Sequence, residues 1–267
     1  VELPLNANIG LIILAFFTSA LSAITAAGGG MLLISAMALF LPVHIVIPIH
    51  AVTQLASNFS RAILSPATTA WHIGVPFMVG MLIGMPGAIG IYTIYAAKFS
   101  ALPLGIFVLM MVWIPPHKIA SALKRKGSAA DRKISSIDKS EARKKRYTEV
   151  GFGVLGFIQI FITLFVGSSA PLNLPFLLQQ QLRRDQLVAT SAMMMTGVSL
   201  AKIAIFVGAG FSFATYTWLI IGLLCAVFGG SWCGTRVRQY IPEQKFVRLL
   251  KLVLTLLALR LVVLALV

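Results

Sequence analysis

Four polar side chains stand in the otherwise apolar stretch "HAVTQLASNFSRAIL", His50 to Leu64. His50, Gln54, Asn58 and Arg61 fall at steps of four, four and three. At about 100° per residue this places them on one stripe of a helix, with Ser57 inside the stripe. An arginine beside amides, a hydroxyl and an imidazole is suited to holding an anion, because the guanidinium supplies fixed charge and a fork of N–H donors. A second cation, Lys202, follows Thr196 and Ser199 in another apolar stretch. The seven acids, Glu2, Asp131, Asp138, Glu141, Glu149, Asp185 and Glu243, all lie at a terminus, in a loop or at a segment end. The two cations therefore have no built-in counter-charge, and the missing anion is expected to be the substrate. Plainer roles exist for each residue. Arg61 and Lys202 can snorkel to the membrane surface, the amides and hydroxyls can join helices, and His50 can be a core histidine.

The elements that carry these residues are membrane helices. The chain is 58% hydrophobic and 11% charged, with a mean hydropathy of +0.93, against about 25% charged residues in a soluble protein. Its apolar runs approach or reach the ~20 residues of a spanning helix, and they are too long and continuous for barrel strands. The fold class expected is an all-α membrane protein. The net charge of +15 does not point to nucleic acid, because eleven of the 22 Lys and Arg residues lie between His117 and Glu149. That run reads as a solvated or partly helical cytoplasmic loop. Cys225 and Cys233 have no metal spacing and read as small packing residues. No metal, cofactor or enzyme signature (HExxH, GxSxG, Walker A) is present in the sequence.

The basic loop divides the chain into an N-terminal repeat (1–114), a loop (115–149) and a C-terminal repeat (150–267). At an offset of 141, Arg61 falls on Lys202, Asn58 on Ser199, His50 on Ser191 and Ser22 on Thr163. Each half reads as a first apolar helix (Ile9 to Ala27; Val150 to Val166), a small-residue break and a short apolar piece (Met31 to Leu41; Leu172 to Gln181). Three longer segments follow: Val43 to Leu64, Gly74 to Tyr95 and Ala101 to Ile114, then Gln186 to Gly208, Phe213 to Thr235 and Phe246 to Val267. A ten-residue helix spans only about 15 Å, so the first helix and short piece read as a re-entrant hairpin. Three crossings per half make the repeats inverted. With the loop inside, eighteen cations lie inside against Lys98 alone outside, in line with the positive-inside bias.

The breaks are the second candidate feature. "GGG" (Gly28, Gly29, Gly30) and "GSSAP" (containing Ser168 and Ser169) precede the short helices, whose free N–H groups and positive dipole ends favour anions. Discontinuous helices of this kind meet at the binding sites of inverted-repeat transporters.

With the Gly-rich break, "MLLISAMALFLPVHIVIPIHAVTQLASNFSRAI" is similar to the first half of the TauE/SafE sulfite-exporter family, also called the 4-toluene sulfonate uptake permease family. "GVPFMVGMLIGMPGAIG" resembles the Pro/Gly helix that follows there, and "IPEQKFVRLLKLVLTLLALRLVV" resembles the terminal helix. The chain departs from the pattern at "GSSAPLN", where a second Gly-rich break is expected, and in its long basic loop. The resemblance implies a secondary transporter of the cell (inner) membrane for sulfite, sulfonates such as sulfoacetate or taurine-like compounds, or related organosulfur anions.

The resulting expectation is export of a small sulfur-containing anion by alternating access, with no enzyme activity. The anion would sit between Gly28–Gly30 and Ser168–Ser169. Arg61 and Lys202 would supply charge, with Gln54, Asn58, His50, Thr196 and Ser199 around it. The expected partners are this anion and the bilayer, with no nucleic acid, and a homodimer is left open. A negative cell interior of about 100 mV drives each negative charge outward with ~2.3 kcal/mol, so uniport suffices, and proton coupling through His50 stays open. The alternatives are an anion channel, and an intramembrane enzyme or assembly factor.

Overall fold

The computed structural model describes residues 5–25, 29–64, 69–95, 101–113, 137–237, 252 and 255–263, and every regular element among them is helical. The first half contributes α1 (Leu5–Thr25), α2 (Gly29–Met37), α3 (Val43–Leu64), α4 (Trp71–Tyr95) and α5 (Ala101–Trp113). The second contributes α6 (Ile137–Val166), a 3₁₀ turn (Ala170–Leu172), α7 (Asn173–Gln179), α8 (Arg184–Gly208), a second 3₁₀ turn (Phe213–Tyr216), α9 (Thr217–Val237) and α10 (255–263). Among the described residues five helices are long and apolar enough to cross a membrane: α1, α4, the Arg146–Val166 part of α6, α8, and α9 with the turn before it. The chain is a multi-pass helical membrane protein.

The differences from expectation have local causes. The first short helix begins at Gly29, not Met31, and ends at Met37, where a turn leads into Pro42. Proline cannot continue the helix behind it. The second short piece divides into the 3₁₀ turn and α7, with Pro171 in the turn. α6 begins at Ile137, so residues 137–149 of the basic segment are a helix continuous with the membrane span. α5 is described as helical over Ala101–Trp113, and the residues on either side of it lie outside the described ones. Cys225 is exposed and Cys233 half-buried, both free, so Cys225 is not the packing residue expected. Gly28, Lys98 and residues 114–136 lie outside the described residues.

Polarity explains the arrangement. α3 is 22 residues long, but its polar seam requires a protein environment, and it packs against α8. The α8 span is 67% buried, against 28% for the span of α9, which places α8 in the interior and turns α9 toward lipid. α1 packs along α9, and α4 along α6. Exchange of the two halves carries the first of these flanking pairs onto the second. Glycines set both seams. A Cβ on Gly80 would overlap the Gly153 carbonyl, and one on Gly156 the Phe77 carbonyl. Across the other seam, Gly230 meets the Phe16 carbonyl and Gly234 that of Ala20. Small residues give this close approach between membrane helices. Gly230→Val is therefore expected to destabilise the protein by about 1–3 kcal/mol or more through overpacking. Gly90→Ala, where a Cβ meets open space, serves as the neutral comparison in thermal melts of detergent-purified protein.

Candidate functional site

α2 is a helix of nine residues with all nine buried. A short helix of this kind is tolerated because protein, not lipid, surrounds it. Its first residue, Gly29, packs so closely on the Thr18 carbonyl and Ser22 Oγ that a side chain cannot fit, and Gly30 lies against the Gln54 amide. From α3, His50 reaches the same segment: its Nε2 is 2.9 Å from the Gly30 carbonyl oxygen. A carbonyl only accepts, so Nε2 carries the hydrogen. The second break is held from α6. Gln159, fully buried, donates from Nε2 to the Ser169 carbonyl (3.1 Å) and to Ser169 Oγ (2.9 Å). Gly167 ends α6 at φ +74°, with its N–H donating to the Thr163 carbonyl at 2.8 Å. A left-handed glycine at this position is a common way to terminate a helix.

Two small adjoining cavities lie between these breaks, α3 and α8. Gln54, Asn58, Ser168, Ala170 and Met195 line both. The first cavity adds Arg61, Gly30, Ser22 and Ser191. The second adds His50, Thr163, Ser169, Ser199 and Lys202. α3 and α8 thus run in opposite directions beside the site: Arg61 shares a cavity with Ser191, and His50 shares one with Lys202. Eleven residues separate His50 from Arg61, so the two ends of the seam are about 16 Å apart along α3.

Both cations are buried, Arg61 at 7% and Lys202 at 2% exposure. Arg61 Nε donates to the Ser57 carbonyl at 3.1 Å, and Nη2 donates to Asn58 Oδ1. Lys202 Nζ donates to the Gly167 carbonyl at 2.6 Å, where the negative end of the α6 dipole favours a cation. These partners are all neutral, and among the described residues no carboxylate lines either cavity. Arg61 has five N–H donors and Lys202 three, so each retains donors beyond those bonds. The contact with Arg61 occupies Asn58 Oδ1 and leaves the Asn58 NH₂ as a donor. Gln54, Ser168, Ser191 and Ser199 make no side-chain hydrogen bond among the described residues. The combined surface is cationic and rich in donors, the complement of a small oxyanion.

Of the residues singled out in the sequence, Arg61, Lys202, His50, Gln54, Asn58, Gly30, Ser168, Ser169 and Ser199 line the cavities. Gly29 is part of the wall behind Gly30, and Gly28 is outside the described residues. Thr196 lines neither cavity, and its hydroxyl donates to the Ala192 carbonyl of its own helix at 2.8 Å. Ser22, Thr163, Ser191 and Met195 were not among the expected site residues. Each nevertheless lies 141 positions from another lining residue: Ser22 from Thr163, His50 from Ser191, and Gln54 from Met195. Among the described residues no three His, Cys, Asp or Glu side chains are grouped to hold a metal.

No curated protein and no solved structure matches the chain. One family model does, described as "Sulfite exporter TauE/SafE", over residues 11–261.

Proposed function

Because the chain belongs to the TauE/SafE sulfite-exporter family, we propose that it moves a small sulfur-containing anion outward across the cell membrane by alternating access. The anion class is sulfite, sulfoacetate or a related sulfonate. One observation carries this reading: two buried cations, Arg61 and Lys202, line adjoining cavities with unpaired donors and, among the described residues, no carboxylate. A cation without a partner is costly at membrane depth, and an oxyanion bridging the two breaks satisfies both charges and donors.

The organisation supports the same reading. The offset of 141 pairs lining residues across the halves, and the flanking helix pairs map onto each other when the halves are exchanged. These are the features of an inverted repeat with its site at the repeat interface. α2 and α7 act as the inner arms of two re-entrant hairpins, and the basic segment before α6 faces the cytoplasm.

Thermal shift on the purified protein tests the substrate class. Sulfite or sulfoacetate at a hundred times its Kd is expected to stabilise by about 2.7 kcal/mol. Taurine, whose ammonium would face the two cations, is expected to shift the melt far less. Equal shifts with chloride, sulfite and taurine, or none with any sulfur anion, would reject a sulfur-oxyanion site.

A further inference from the structure

We propose that the protein is an obligatory anion exchanger: it changes its facing only when loaded, so that an anion leaves only as another anion enters. This rests on the transporter reading above and replaces the simple uniport that the membrane potential would allow.

The argument starts from the charges of the cavity wall. Arg61 and Lys202 are both desolvated, and their protein partners, the Ser57 and Gly167 carbonyls and the Asn58 amide oxygen, carry no net charge. Glu149 and Asp185 are the acids whose side chains are described, and neither lines the site. The other five acids lie, by sequence position, near the N-terminus, in the basic segment and in "IPEQ". A buried ion is tolerated when paired and penalised heavily when alone. The two cations line different, adjoining cavities on the antiparallel α3 and α8, Arg61 beside Ser191 and Lys202 beside His50. Whichever mouth of the site closes, at least one cation is sealed behind it. Closure over a bound anion pairs that cation, whereas closure over an empty site leaves it uncompensated. The empty carrier therefore meets its highest barrier at the step a uniporter needs to reset, and a loaded return bypasses that barrier.

The same charges set the load. Two cations are balanced by one dianion or two monoanions, so a full cycle exchanges two negative charges for two and moves no net charge. Exchange is then indifferent to the membrane potential, in contrast to uniport, which the potential accelerates.

The experiment uses the full chain in liposomes loaded with radiolabelled sulfite. Efflux is measured into medium containing unlabelled sulfite, chloride, or only the bulky anion gluconate. Valinomycin and potassium gradients set the potential. Efflux into sulfite is expected to exceed efflux into gluconate by at least about a hundredfold, as an unpaired buried charge implies, and to keep its rate when the interior is made negative. Sulfite efflux into chloride near the rate into sulfite identifies a halide as an accepted counter-anion and supports exchange. Efflux into gluconate as fast as into sulfite, and faster with a negative interior, overturns exchange while leaving the transporter reading intact. Absence of efflux into every medium overturns both.

Discussion

Arg61→Ala is expected to lower sulfite flux in liposomes at least about a hundredfold while the protein stays folded. Truncating one partner of a buried charge-assisted pair costs about 2–5 kcal/mol, and each 1.4 kcal/mol is about a factor of ten. The fold should tolerate the change. The Ser57 carbonyl keeps a donor in Ser60 Oγ at 3.0 Å, and Asn58 Oδ1 remains beside a polar cavity that can hydrate it. Arg61→Lys should fall between alanine and the native protein, because a lysine keeps the charge but loses the planar fork. Flux measured beside thermal melts separates the cases. Native flux from a well-folded Arg61→Ala protein would make the arginine an internal brace that does not contact substrate.

Lys202→Ala should cost both transport and stability, which distinguishes it from Arg61→Ala. Its ammonium is the donor to the Gly167 carbonyl, a buried group at the end of α6. Leaving such an acceptor without a partner costs about 1–3 kcal/mol, so the melting temperature should drop. Loss of the second cation should again reduce flux by at least about a hundredfold. Lys202→Met keeps the side-chain volume and should recover part of the packing but none of the flux. A Lys202→Ala protein that melts and transports like the native one would remove Lys202 from the site. Normal transport by both alanine variants would reject the cationic site altogether.

Much of this site was legible because its signals are ones an apolar helix cannot hide. α3 begins at Val43 as expected, and the seam of His50, Gln54, Asn58 and Arg61 stands out against its aliphatic neighbours. On α8 the equivalent seam runs through Ser191, Met195, Ser199 and Lys202, in the same steps of four, four and three. A methionine and single hydroxyls carry no such contrast, so only the offset between the halves reveals them. Thr196 looked equivalent to its neighbours, but it is one residue, and so about 100°, away from that seam. The early start of α2 was hidden because glycine is a poor helix former. Packing against the Thr18 carbonyl and the Gln54 amide overrides that preference. The charged start of α6 was ambiguous for the opposite reason. Lys, Arg, Glu and Ala are good helix formers, and composition alone does not distinguish an exposed helix from a loop.

The pairing of α1 with α9 and of α4 with α6 also bears on how the chain is assembled. α1 ends at Thr25 and its main partner begins at Thr217, so during synthesis the first span waits for nearly the whole chain before its glycine-lined seam can close. Such long-range contacts form late and leave earlier segments exposed to wrong partners in the meantime. Neither half owns a complete interface, since the first span of each half is clasped by a helix of the other. The protein is therefore interlocked in the order of its making: the halves mature together, and a chain cut in the basic segment would have to reassemble from two pieces that each lack their main neighbour.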